Sequence, residues 1–139
     1  RVKNLAKLTP KEGGTLLDDT SFQRKLNETE IQLESIQYTE FRLMAALAKG
    51  ESPGPESSVL KTLSADIQQQ LTELSVEAIA EFAAAHQPEA RTVGADTVSI
   101  GHDDGKMAFT QYFNLRASSI AGGTNEVQKN IIAKMVLGL

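Results

Sequence analysis

DDTSFQRKLNETEIQLESIQYTEFRLMAALAK, residues 18–49, is the stretch that decides the fold. No Pro or Gly interrupts it. Phe22, Leu26, Leu33, Ile36, Leu43 and Leu47 recur at helical spacing, with Glu, Gln and Arg between them. Asp18 or Asp19 is placed to cap such a helix, its carboxylate accepting from the free amides of the first turn. The helix would be about 45 Å long at about 1.5 Å per residue. Gly50-Glu51-Ser52-Pro53-Gly54-Pro55 stops it firmly.

Ser57 or Ser58 is expected to cap a second long helix. Val59, Leu60, Leu63, Ile67, Leu71, Leu74, Ala78, Ile79 and Phe82 form its broad apolar face. It should end near Ala85, because Pro88 prevents easy continuation. Two long amphipathic helices joined by a short loop make an antiparallel pair, the core unit of a bundle. The expectation is an all-α fold with no sheet of consequence.

Upstream, Arg1-Val2-Lys3-Asn4-Leu5-Ala6-Lys7-Leu8 reads as the end of a helix: its cations suit a C-terminus and no capping residue precedes it. The chain is therefore expected to be a piece of a longer protein. Thr9-Pro10 and Gly13-Gly14 break that helix into a loop. Downstream, residues 87–107 carry Pro88, Gly94, Gly101 and Gly105 with little periodicity, a loop long enough to suspect a functional or interface role. Met107 to Arg116 is expected to form a short helix or turn that packs Phe109, Tyr112 and Phe113 on the bundle. A last helix should follow Gly122-Gly123 and run to about Leu137, with Val127, Ile131, Ile132, Met135 and Val136 as its stripe.

Composition narrows the function. At 139 residues, 40% apolar and 23% charged, the chain is long enough to bury roughly two-thirds of its unfolded surface in one core. A net charge of -4 without any basic cluster argues against nucleic acid. No apolar run spans a bilayer and no segment reads as a signal peptide. The absence of cysteine excludes disulfides and thiolate metal sites and fits a reducing, cytoplasmic compartment. His86 and His102 lack metal-ligand spacing, so no metal is expected.

The stretch that carries chemistry is Arg116-Ala-Ser-Ser-Ile-Ala-Gly122-Gly123-Thr124-Asn125-Glu126-Val-Gln128. Two glycines ahead of a helix remove side chains where a flat ligand could meet the backbone. Thr124 and Asn125 supply capping oxygens, and an Asn125 cap would put Gln128 at the reciprocal capping position. Free amides and the positive end of the helix dipole then face anything anionic. A capped helix behind Gly-Gly is also a common chain entry with no ligand at all. Glu126 suits the first turn as a complement to the dipole. Arg116 either positions the motif or forms a salt bridge within the bundle.

Read whole, residues 116–139 closely resemble the closing motif of acyl-CoA dehydrogenases, Ser-Ile-Tyr-Gly-Gly-Thr-Asn-Glu-Ile-Gln continuing as Arg-Asn-Ile-Ile-Ala-Lys. More loosely, the Asp18-Asp19 cap, the Lys49-Gly50 end, the Pro-Gly-Pro-Glu-Ser-Ser-Val-Leu-Lys entry and Gln87-Pro88-Glu89-Ala90 ahead of Tyr112 also resemble that family's C-terminal domain. The resemblance implies a four-helix up-and-down bundle over residues 1–139, closing a three-domain FAD protein that oxidises acyl-CoA. It puts Thr124, Asn125 and Glu126 forward as FAD contacts and Gly123 beside the acyl thioester. It also implies an electron acceptor such as electron-transfer flavoprotein, and a homo-oligomer, dimer or tetramer, or a hetero-oligomer.

The chain departs from that pattern in three places. Many members carry the proton-abstracting glutamate immediately before Gly-Thr, where this chain has Gly122. Others keep glycine there and carry the glutamate on the first helix of the domain, so the base is expected upstream of Arg1 and no catalytic residue within the chain. Ala121 stands where an aromatic often packs, which implies a roomier pocket or a less active subunit. The 87–107 loop occupies the place of a Gly-Gly-x-Gly loop that binds a neighbour's adenine. The alternative to the enzyme is a non-catalytic helical interaction domain, either a degenerate partner subunit or an unrelated bundle.

Overall fold

In the computed structural model, which describes residues 1–139, one helix serves as the axis on which the rest is hung. The chain runs α1 (Val2–Leu8), a two-strand hairpin (β1, Pro10–Lys11; β2, Gly14–Thr15), α2 (Thr20–Ala48), α3 (Glu56–Ile79), α4 (Ala108–Asn114) and α5 (Asn125–Ile132). The fold is all-α apart from that hairpin. Helices α1, α2, α4 and α5 each pack against α3. Lys25 meets Glu77 and Thr29 meets Gln70, so α2 and α3 run antiparallel as expected.

Asp19, rather than Asp18, caps α2: its Oδ1 accepts from the Phe22 amide at 2.8 Å. Asp18 instead closes the preceding 3-10 turn, accepting from the Thr15 amide at 2.9 Å and hydroxyl at 2.7 Å. Both carboxyls are held below their ordinary range, Asp19 by the Lys11 ammonium and the Phe22 amide, Asp18 by the Thr15 hydroxyl and amide. A carboxylate with a depressed folded pKa stabilises the fold above its unfolded value, about 3.9, and that stability is lost as pH falls through the folded value. Asp19→Ala is therefore expected to lower the melting temperature more at about pH 7 than at about pH 2. Thermal melts at the two pH values check this, and an equal loss at both would contradict it.

The α3 boundaries differ from those expected. Pro55 stands at the N-cap with φ -63, and its carbonyl already accepts from Ser58 and Val59. The ring presets the helical φ, so the helix starts before Ser57 and Ser58, which fall inside the first turn and cap nothing. At the other end, Ala80 turns to φ 49 and stops the α-helix at Ile79; a 3-10 turn continues to Ala84. The break brings Phe82 and Ala83 onto the core. Part of the 87–107 loop closes over that end. A Cβ on Gly101 would fall 2.7 Å from Phe82, and one on Gly105 2.6 Å from Ile79.

The core sits at this end of the bundle, built from Leu5, Ala6, Leu16, Phe22, Leu26, Leu74, Ala78, Ile79 and Ala108. Thr9 ties α1 into it, its hydroxyl bonding the Leu5 and Ala78 carbonyls. Away from it, the apolar stripes are uncovered. On α2, Leu33 and Leu47 are exposed along with Ile31, Tyr38, Phe41 and Met44. On α5 and its π-helical continuation (Ala133–Leu137), so are Val127, Ile131, Met135 and Val136. The aromatics of α4 also depart from expectation. Phe109, Tyr112 and Phe113 cluster with one another, ring centroids 4.7 Å apart for Phe109 and Phe113, and leave Ala108 to enter the core. A close helix approach accepts alanine where a ring would not fit. No helix is long and apolar enough to cross a membrane.

Candidate functional site

The final third of the chain folds back along α3. A 3-10 turn (Leu115–Ser119) follows α4, and the Ile120 and Ala121 amides close it on the Ala117 carbonyl at 3.0 and 2.9 Å. Gly122 and Gly123 then take φ +70 and +94 in succession. Two consecutive left-handed residues suit glycine because a Cβ there costs about 1–2 kcal/mol each. The chain returns to extended geometry at Thr124 and enters α5.

What surrounds the two glycines differs. A Cβ on Gly122 would meet nothing within 4 Å, so that side of the turn is open. A Cβ on Gly123 would come within 2.7 Å of Gln128 Nε2, the amide that donates to the Gly122 carbonyl at 3.1 Å. Gln128 thus closes the turn from the helix side. It does so as a donor to a carbonyl, not in the reciprocal capping role expected of it.

Thr124 is the cap. Its Oγ1 accepts from the Val127 amide at 3.2 Å, and its carbonyl accepts from Gln128 at 2.9 Å. Asn125, the alternative cap, is buried and turned toward α3. Its Oδ1 accepts from Lys61 Nζ at 2.9 Å and its Nδ2 donates to Asp66 Oδ1 at 3.3 Å. With both ends of the amide engaged on α3, the capping position falls to the residue before it. Glu126 is exposed in the first turn of α5. Its own amide and the Thr124 hydroxyl, helped by Lys129 and Lys61, hold its carboxyl below the usual range. It is a fixed negative charge at the positive end of the helix.

Arg116 forms the salt bridge within the bundle. Its Nη1 pairs with Glu73 Oε1 at 2.7 Å, and Nη2 donates to the Gln69 carbonyl and the Thr72 hydroxyl at 3.0 and 3.1 Å. The guanidinium also lies 4.5 Å from the Tyr112 ring centroid, a cation–π distance. Gln69 Nε2 returns a bond to the Arg116 carbonyl at 3.2 Å. Arg116 therefore anchors the entry to the glycine turn on α3.

Gly122, Gly123, Thr124 and Glu126 share one turn with an open side, while Asn125 is its inward-facing member. Sequence alone assigns no role to Lys61, which closes the Pro-Gly-Pro entry, or to Asp66, since on α3 both look like ordinary surface charges. The available signal was the run of small residues beside them, Ser58, Thr62 and Ala65, all buried. Small side chains let another chain segment approach closely. A groove of about 600 Å3 lies between α1, α2 and α3, lined in part by Val2, Leu26, Leu33 and Leu71, and none of residues 122–126 borders it.

An all-α bundle centred on one helix, with a capped glycine turn laid along that helix, is the class of protein these features define. The family model described as acyl-CoA dehydrogenase, C-terminal domain, matches residues 1–137, and the chain belongs to that family. A comparison with curated proteins finds no match.

Proposed function

We propose that the chain is the C-terminal domain of an FAD-dependent acyl-CoA dehydrogenase, which introduces a Cα–Cβ double bond into an acyl-CoA thioester. The observation that carries this reading is the open glycine turn, Gly122-Gly123-Thr124, within a chain of this family. The residues present fit an edge of the cofactor: a side-chain-free backbone bend, a half-buried hydroxyl at Thr124 and a helix N-terminus behind it. A flavin held there would supply the redox chemistry, as a hydride acceptor for the acyl-CoA.

The chain's own residues orient rather than react. Gly123 sets bare backbone beside the thioester, Thr124 and Glu126 face the flavin, and Asn125 holds the turn they stand on. Gly122 offers no proton acceptor; the family resemblance then implies a glutamate on a helix that would precede Arg1 as the base. The exposed apolar faces of α2 and α5 are the surfaces for neighbouring domains or subunits. A second reading, a non-catalytic subunit of a hetero-oligomer, is favoured by Gly122 and by the exposed Ala121. A glutamate on the segment before Arg1 would decide for the enzyme.

On this reading the chain supplies one edge of the cofactor site. The isolated 139-residue chain is expected to lose FAD on gel filtration and to oxidise no member of a panel of acyl-CoAs. Stoichiometric flavin absorbance eluting with the isolated chain would overturn the assignment of the site.

A further inference from the structure

The glycine turn is tied at both ends to one side chain that is not part of it. Lys61 Nζ donates to the Ser119 carbonyl at 3.3 Å, ahead of the glycines, and to Asn125 Oδ1 at 2.9 Å, behind them. Asp66, further along α3, takes the other end of the Asn125 amide at 3.3 Å. Lys61 is half-buried and makes no ion pair with a carboxylate within 4 Å, unlike Lys3, Lys11, Lys25 and Arg116. Its ammonium is committed instead to two neutral oxygens that bracket the turn.

That commitment has a physical consequence. Two adjacent glycines lose more conformational freedom on ordering than any other pair. Neither capping at Thr124 nor the Gln128 bond spans the segment from Ser119 to Asn125. Lys61 does, from the second turn of the central helix. A charged donor bonded to a carbonyl and an amide oxygen is stronger than a neutral one, and burial of Asn125 makes its loss costly.

We propose that Lys61 and Asp66 are positioning residues that hold the Ser119–Asn125 turn in its ligand-meeting shape without touching the ligand themselves. The proposal rests on the reading of that turn as a flavin contact. It adds that the shape is set from α3, through Asn125, and not by the turn alone.

The test uses the full-length flavoprotein. Apoprotein of wild type, Lys61→Met, Lys61→Arg, Asn125→Ala and Gly123→Val is titrated with FAD, and the visible spectrum of bound flavin and the apoprotein melting temperature are recorded. Lys61→Met is expected to weaken FAD binding about ten- to a hundredfold and to shift the flavin spectrum, with Lys61→Arg recovering most of both. Combining Lys61→Met with Asn125→Ala should weaken binding by less than the product of the two single effects, since the two residues share one contact while Lys61 alone also holds Ser119 and Asn125 alone Asp66. FAD affinity within about twofold of wild type in Lys61→Met, beside lost affinity in Gly123→Val, would overturn the positioning role and leave the flavin reading standing. Wild-type affinity in both would overturn the flavin reading and this inference with it. Should Lys61→Met not fold, Lys61→Gln, a shorter neutral donor, takes its place: weakened binding supports the proposal and wild-type binding overturns it.

Discussion

Gly123→Val in the full-length protein is expected to strip the flavin on gel filtration and to cut acceptor-linked turnover at least tenfold, roughly the equivalent of 1.4 kcal/mol. Two effects add. At φ +94 the substituted residue would sit in a region that costs about 1–2 kcal/mol for an ordinary L-residue and more for a β-branched one. Its Cβ would also fall 2.7 Å from Gln128 Nε2, pushing that amide off the Gly122 carbonyl and opening the turn. The displaced backbone is the part proposed to meet the ligands. Thr124→Val makes the contrast. It leaves the glycines alone and removes one hydroxyl, whose capping bond to Val127 is worth about 1 kcal/mol, so flavin should be largely retained. Flavin absorbance after gel filtration and turnover on a panel of acyl-CoAs separate the two variants. Normal flavin and rate in Gly123→Val would reduce the double glycine to a helix entry.

Features decided by neighbours in sequence were legible, and features decided by neighbours in space were not. The start and end of α2 could be read because Asp19 and Gly50 act within a few residues of themselves. The end of α3 could not. Ala80 is the best of helix formers by propensity, yet it breaks the helix where Phe82 is drawn to the core under Gly101. Periodicity marked Leu33, Leu47, Val127 and Ile131 as apolar-face residues, but periodicity reports a face and not its cover, and all four are exposed. At the site, the glycine pair and the helix cap were visible because their chemistry is local. That Asn125 turns inward was not, because its partners Lys61 and Asp66 lie more than fifty residues earlier.

The same division sets the size of a packing effect. Phe22 and Leu33 read alike in sequence, both on the apolar stripe of α2. Phe22 is fully buried and shares its core with Leu5, Leu26, Leu74 and Ala78, whereas Leu33 is half exposed. Removing the Phe22 ring deletes contacts on every side and leaves a cavity among residues from α1, α2 and α3. Phe22→Ala is expected to cost about 3–5 kcal/mol, a large part of a typical total of about 5–15 kcal/mol. Leu33→Ala removes a side chain that water already reaches and should cost about 0.5–1 kcal/mol. Urea unfolding of the two variants measures this: the Phe22→Ala midpoint should fall several times further, with the slope unchanged. Equal shifts would mean that the stripe is covered evenly along α2, by a neighbouring domain or subunit lying over Leu33, and that the core extends well beyond the end of the bundle where α1 meets α3.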